Sequence, residues 1–176
     1  MGGHEVRATS IIAAVFALLF VLAPKAAASD SDVIPFEMSQ SGHIIVSVRL
    51  NDVTTVDAIL DTGATFPIID HATARNVGIA LTDSPDTVSI VGLGEALTFP
   101  VVDVQHLTLG DLSIDNLPAA YNDRVYFPAS GNVLPASAIP HRTLDFDFDR
   151  SQLRMYDRAP QSLRRFSSPR LDIIRV

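Results

Sequence analysis

From Ile44 onward the sequence is a succession of short apolar and β-branched runs divided by turn formers, a rhythm that specifies an all-β barrel or sandwich. "HIIVSVRL" and "TTVDAIL" flank Asn51-Asp52, which reads as a hairpin turn. Strand signals return in "DTVSIV", "EALTFPVVDVQHLTL", "LSIDNL", "TLDFDFDR" and "SQLRMYD". One segment breaks the pattern. In "DHATARNVG", Asp70 suits a helix N-cap and Gly78 a helix stop, so a single short helix is predicted there. With 176 residues, 47% of them hydrophobic, the chain has enough apolar material for one domain with its own core and little for a second.

The two ends read differently from the middle. Residues 1–28 begin with His4, Glu5 and Arg7, continue through an unbroken apolar run from Ile11 to Ala23, and finish on Pro24 and "KAAAS". That is the grammar of a secretory signal with Ala26 and Ala28 before the cut, and the run is shorter than the roughly 18 apolar residues a membrane-spanning helix needs. The expectation is an exported protein, periplasmic or secreted, that contacts the membrane only if residues 1–28 stay uncleaved. Residues 29–43 form a lead segment, 44–157 the domain and 158–176 a C-terminal tail, whose apolar "DIIRV" could supply a strand.

Composition excludes several functions. Twenty acidic residues against 13 basic ones give a net charge of −7, and loss of Arg7, Lys25 and Glu5 with the signal would make the remainder one unit more acidic. Phosphate binding needs basic surface, so nucleic acid is not an expected partner. The absence of cysteine removes disulfides, thiolate metal sites and a cysteine nucleophile.

Three apparent motifs fail on spacing. "DFDFDR" opens like a calcium loop, but Arg150 stands where glycine is required and Tyr156 where the bidentate glutamate belongs. Period-two alternation explains it instead, with Asp145, Asp147 and Asp149 toward solvent and Leu144, Phe146 and Phe148 toward the core. "GLGEAL" lacks the third glycine of a nucleotide loop, because Leu97 occupies it, and no helix follows. His4, His43, His71, His106 and His141 have no metal-ligand pairing and no nucleophile-elbow serine beside them, so no metal site is expected. The stretch Asn122 to Asn132, rich in Pro, Gly, Asn and Ser, is too long for a tight turn and reads as a functional or mobile connection.

"VDAILDTGATFPIID", residues 56–70, is more particular. Asp61 follows directly on Ala58-Ile59-Leu60, where the chain should be entering a core, and carboxylates are seldom placed there unless paired or put to use. By itself Asp-Thr-Gly could be a turn. Here an apolar strand leads in, "ATFPII" leads out, a short helix follows, and a glycine-tipped hairpin lies about 30 residues on, a distance of a few ordinary elements.

In these features the sequence resembles the retropepsin-like aspartic proteases, particularly their bacterial exported members, over about Ile44 to Tyr156. The resemblance implies an all-β, closed β-barrel-like retropepsin (acid protease) fold with one or two short helices. On "AILDTGAT" it assigns the catalytic aspartate to Asp61, the hydroxyl that locks two protomers' loops to Thr62, and the rest of the loop to Gly63 and Ala64. "VSIVGLGEALTF" sits where the family has its flap, with Val91, Gly92, Leu93 and Gly94 at or near the tip. "TLDFDFDRSQLRMY" resembles the closing strands. In "NVLPASAI", Val133 and Leu134 match the apolar pair of the segment that packs behind the catalytic loop. Pro135 departs from the pattern, for it occupies the glycine position, fixing φ near −65° and removing a backbone donor.

One Asp-Thr-Gly per chain further implies a homodimer in which Asp61 meets its own copy, a peptide or protein substrate, and hydrolysis by an activated water without cofactor or metal. Two rival readings stand beside this one. The first is a non-catalytic peptide-binding or assembly module that keeps the fold; the second is a monomeric structural domain in which Asp61 caps a turn.

Overall fold

In the computed structural model, residues 33–92, 95–124, 127, 129–140 and 143–157 are described. The signal expected over 1–28, Leu93 and Gly94 of the flap, His4, His141 and the tail 158–176 lie outside the described residues. The described residues all fall in one unit.

Eleven strands and one α-helix are seen among the described residues: β1 Val33–Pro35, β2 Glu37–Met38, β3 Ile44–Leu50, β4 Thr54–Asp61, β5 Ile68–Asp70, α1 His71–Asn76, β6 Thr87–Gly92, β7 Glu95–Leu109, β8 Leu112–Asn122, β9 Val133–Pro135, β10 Thr143–Asp147 and β11 Gln152–Tyr156. A single 3-10 turn, Ala136–Ala138, follows β9. The large sheet runs β2-β3-β4-β9-β5-β8-β7-β6, and a further pairing of β3 with β7 closes six of these strands into a barrel. A smaller sheet, β1-β11-β10, completes the fold. The expected all-β, closed barrel with short helices is therefore the observed architecture.

Local chemistry explains the turns. Asn51 and Asp52 both adopt left-handed backbone, with φ 48° and 58°, and the Val53 N–H donates to the Leu50 carbonyl at 2.9 Å, the geometry that suits a twisted hairpin. Asp70 caps α1 by accepting from the Thr73 N–H at 2.8 Å. β8 runs past the expected "LSIDNL" and through Pro118. The Ala120 N–H bonds to the Pro67 carbonyl beyond β8, so the nitrogen two residues earlier faces the same side, outside the β5–β8 pairing, and its missing hydrogen costs the sheet nothing.

Why β4 ends in an uninterrupted apolar run is a matter of layers. Ala58 and Leu60 point into the barrel core, while Ile59 points the other way into a second cluster with Ile68, Phe99, Ala120 and Val133. β5 and β9 are divided in the same manner, Ile69 and Leu134 inward, Ile68 and Val133 outward. Strands covered on both faces read as continuous hydrophobic runs. Each such buried aliphatic side chain contributes about 1.5–3 kcal/mol, which anchors these three adjacent strands firmly.

Ahead of the expected domain start, β1 and β2 form, and Ile34 and Phe36 belong to the barrel core. One expectation is corrected. The alternation in "DFDFDR" ends early. Leu144 and Phe146 pack on the core as expected, but β10 stops at Asp147, and Phe148 is 59% exposed, lying against Phe36 and Phe146. The Asp147 carboxylate, only 12% exposed, takes hydrogen bonds from the Arg150 N–H and guanidinium and from Arg154. That turn pulls the chain out of strand period.

Candidate active site

Asp61 is the last residue of β4, two beyond Ile59, so period-two geometry puts its side chain on the face of the second cluster and away from the barrel core. That cluster also receives Ala64 and Phe66 from the following loop and Val88, Ile90 and Phe99 from the β6–β7 hairpin. The apolar underside of the hairpin thus looks onto the face that carries Asp61.

The carboxylate is partly exposed, and its Oδ1 accepts the Gly63 N–H at 2.7 Å. This bond aims the carboxylate within its own loop. A Cβ on Gly63 would stand 3.3 Å from the same oxygen, tighter than ordinary contact, so a glycine lets the loop turn back on the acid. Thr62 and Gly63 are exposed at the protein surface, and Ala64 is half-buried.

Behind the loop, β9 lies parallel to β4 in the register Ile59–Val133, Leu60–Leu134 and Asp61–Pro135. The Ile59 N–H donates to the Asn132 carbonyl at 2.9 Å, so Ile59, and by alternation Asp61, carry the β4 side of the ladder. The nitrogen of Pro135 then faces away from β4, where its missing hydrogen breaks no rung. Its backbone, φ −62° and ψ 137°, is ordinary extended chain. The ring is fully buried. Val133, Leu134 and Pro135 thus lie beside the end of β4, all three buried, with the proline in ordinary extended backbone.

The β6–β7 hairpin pairs from Thr87–Pro100 to Gly92–Glu95. Ser89 and Thr98 meet through their hydroxyls at 3.1 Å on the hairpin's outer face, and Val91, 80% exposed, shares that face by alternation. Val91 therefore points away from the Asp61 side, which Val88 and Ile90 cover. At the flank, the Arg124 guanidinium lies 5.5 Å over the Phe99 ring and donates to the Thr98 carbonyl.

Sequence reading missed Ser130, Gly131 and Asn132. Asn132 is 7% exposed; its Oδ1 accepts the Asp70 N–H at 3.1 Å, and its Nδ2 donates to the Asp57 carbonyl at 3.1 Å and to Thr73 Oγ1 at 3.2 Å. Ser130 Oγ donates to the Asp57 carbonyl at 2.6 Å and accepts the Asn132 N–H at 3.1 Å. The available signal was a polar amide set directly against the apolar pair Val133-Leu134.

Among the described residues, no three acidic, histidine or cysteine side chains converge as a metal site requires. An aspartate held by a backbone N–H, on an apolar face beneath a hairpin, can act as proton acceptor or donor toward an extended chain laid between them.

Residues 46–140 match the family model described as aspartyl protease. Among solved structures, the fold is similar to the crystal structure of a retropepsin-like aspartic protease from Rickettsia conorii, with a TM-score of 0.53 and 15% identity, covering 70% of this chain and 89% of that one. No curated protein matches the chain in sequence.

Proposed function

The chain belongs to the aspartyl protease family, and from that premise we propose that it is an endopeptidase working as a homodimer, with Asp61 and its copy forming the catalytic pair. The observation that carries this reading is Asp61 itself, placed on the face beneath the flap hairpin with its carboxylate aimed by the Gly63 N–H at 2.7 Å. Thr62 and Gly63, exposed at the surface, are available to meet a second copy across a two-fold axis.

Two carboxylates about 3 Å apart cannot both ionise cheaply and so hold one proton between them; aspartic proteases as a class exemplify this splitting. The ionised member takes a proton from a bound water, whose oxygen attacks the peptide carbonyl carbon. The protonated member gives its proton to the carbonyl oxygen. The tetrahedral diol collapses when the carboxyl that took the water's proton passes it to the leaving nitrogen, the C–N bond breaks, and the other carboxylate takes a hydroxyl proton from the diol, which leaves the pair singly protonated as it began. The substrate would lie extended against the β6–β7 hairpin, whose backbone can bond to it and whose apolar underside suits apolar side chains.

Pro135 is the feature that favours a module without turnover. Its extended backbone, and a nitrogen turned away from the β4 ladder, weaken that alternative. Export is also part of the proposal, and cell fractionation tests it.

The decisive experiment incubates the purified protein and Asp61→Asn with a peptide library across pH, with sedimentation equilibrium alongside. Cleavage by the wild type alone, highest at mildly acidic pH and by a dimer, is expected. Equal cleavage by both proteins, or a strictly monomeric active species, refutes it.

A further inference from the structure

The catalytic loop, residues 62–67, hangs between the end of β4 and the start of β5. Its geometry depends on how far apart those two strands are held. Asn132 touches both. On the incoming side it takes the Ile59 N–H through its backbone carbonyl and reaches the Asp57 carbonyl through Nδ2. On the outgoing side it accepts the Asp70 N–H through Oδ1 and donates to Thr73 Oγ1, which itself donates to Asp70 Oδ2 at 2.9 Å. Ser130 adds a second donor to the Asp57 carbonyl. Gly131 completes the fit, since a Cβ there would come within 2.6 Å of the Asp70 Cβ.

We propose that Ser130, Gly131 and Asn132 form a clamp that fixes the spacing of the strands entering and leaving the Asp61 loop, making Asn132 a positioning residue for the Asp61 carboxylate. The kinetic part of this proposal rests on the two-carboxylate reading above. Hydrogen bonds are directional and short-ranged, so a buried amide satisfied on both sides measures a distance that apolar packing of equal volume would leave loose. The loop hangs from these fixed points, and among the described residues the Gly63 N–H is its internal hold on the acid. A misplacement of about 1 Å at the reacting groups can cost roughly 100-fold in rate. Moving the two acids apart also weakens their sharing of one proton, so the acidic limb of the activity profile rises, the basic limb falls and the bell narrows.

The test compares Asn132→Ala and Ser130→Ala with Met155→Ala, a core truncation in β11, a strand of the smaller sheet that pairs with neither β4 nor β5. The first readout is the pH titration of the Gly63 amide resonance, which senses the Asp61 carboxylate whether or not any peptide is cleaved. The second is kcat, KM and the pH profile. Expected are a weakened and displaced Gly63 titration in Asn132→Ala, the same in smaller degree in Ser130→Ala, and an unchanged one in Met155→Ala. Alongside, Asn132→Ala should lose roughly 10- to 100-fold in kcat with little change in KM and a narrower bell. A Gly63 titration unchanged in Asn132→Ala, or equally altered in Met155→Ala, overturns the clamp. Should Asn132→Ala fail to fold, an unchanged titration in Ser130→Ala overturns it equally. A wild type that cleaves nothing refutes the protease reading, while the Gly63 titration still decides the clamp.

Discussion

Asp61 and Pro135 stand side by side as the last rung of the parallel β4–β9 ladder, the proline ring fully buried and its nitrogen turned away from the carboxylate's strand. A residue that departs from the family pattern is thus held in a conformation it prefers, φ −62°. Pro135→Gly should therefore lower stability rather than improve catalysis. Greater freedom of the unfolded chain and loss of ring burial together amount to about 1–2 kcal/mol. Denaturant unfolding measures the loss, and a kcat that rises tenfold or more in the variant would show that proline restrains the site.

The 2.7 Å bond from the Gly63 N–H to Asp61 Oδ1 leaves a Cβ only 3.3 Å from that oxygen. Gly63→Ala should push the carboxylate or the loop aside by a few tenths of an ångström. Because the position is exposed, stability should change by less than about 1 kcal/mol. The rate should fall roughly 10- to 100-fold, as misaligned reacting groups require. Full activity at unchanged stability would mean that the loop tolerates the shift.

How much of this was legible beforehand follows from what each feature depends on. β7 coincides with the run "EALTFPVVDVQHLTL", and Asp70 caps α1 as its sequence position suggested, because alternation and capping are local. The apolar approach to Asp61 was equally plain, since burial on both faces of β4 leaves a continuous run. β1 and β2 were not legible: strands of three and two residues are too short to show a period, and β1 is fixed by pairing with β11, at the far end of the domain. Phe148 escaped alternation because the Asp147 turn ends the strand before it. The part played by Asn132 rests on partners 62 and 75 residues away in sequence, and nothing nearby announces them.

Asp147 gives the fold a pH dependence of its own. Hydrogen bonding from the Arg150 side chain, helped by its backbone N–H and by Arg154 and opposed by burial, holds this carboxyl below its ordinary value of 3.8. A group whose folded pKa is depressed stabilises the fold above the unfolded value and loses that contribution as pH falls through the folded one. The melting temperature should accordingly decline as the solution is acidified from about pH 4 downward, the range set by an unfolded carboxyl. Asp147→Asn should flatten that decline while lowering stability at neutral pH. Parallel melting curves for the two proteins would show that the Arg150 and Arg154 contacts contribute nothing.

Arg124 couples the chain after β8 to the base of the β6–β7 hairpin, lying 5.5 Å over Phe99 and donating to the Thr98 carbonyl. Its side chain is largely exposed and also faces Asp123 at 3.3 Å, so the stability it supplies is small, about 0.5–1 kcal/mol. Its effect should appear instead in substrate binding. Phe99 belongs to the cluster that joins the hairpin to the Asp61 face, and freeing one side of that ring loosens the wall against which a peptide would lie. Arg124→Ala should then raise KM while leaving kcat nearly unchanged, because no contact to the Asp61 carboxylate is removed. Steady-state kinetics on one good peptide substrate separates the two, and a fall in kcat at constant KM would place Arg124 in the chemistry rather than in the wall.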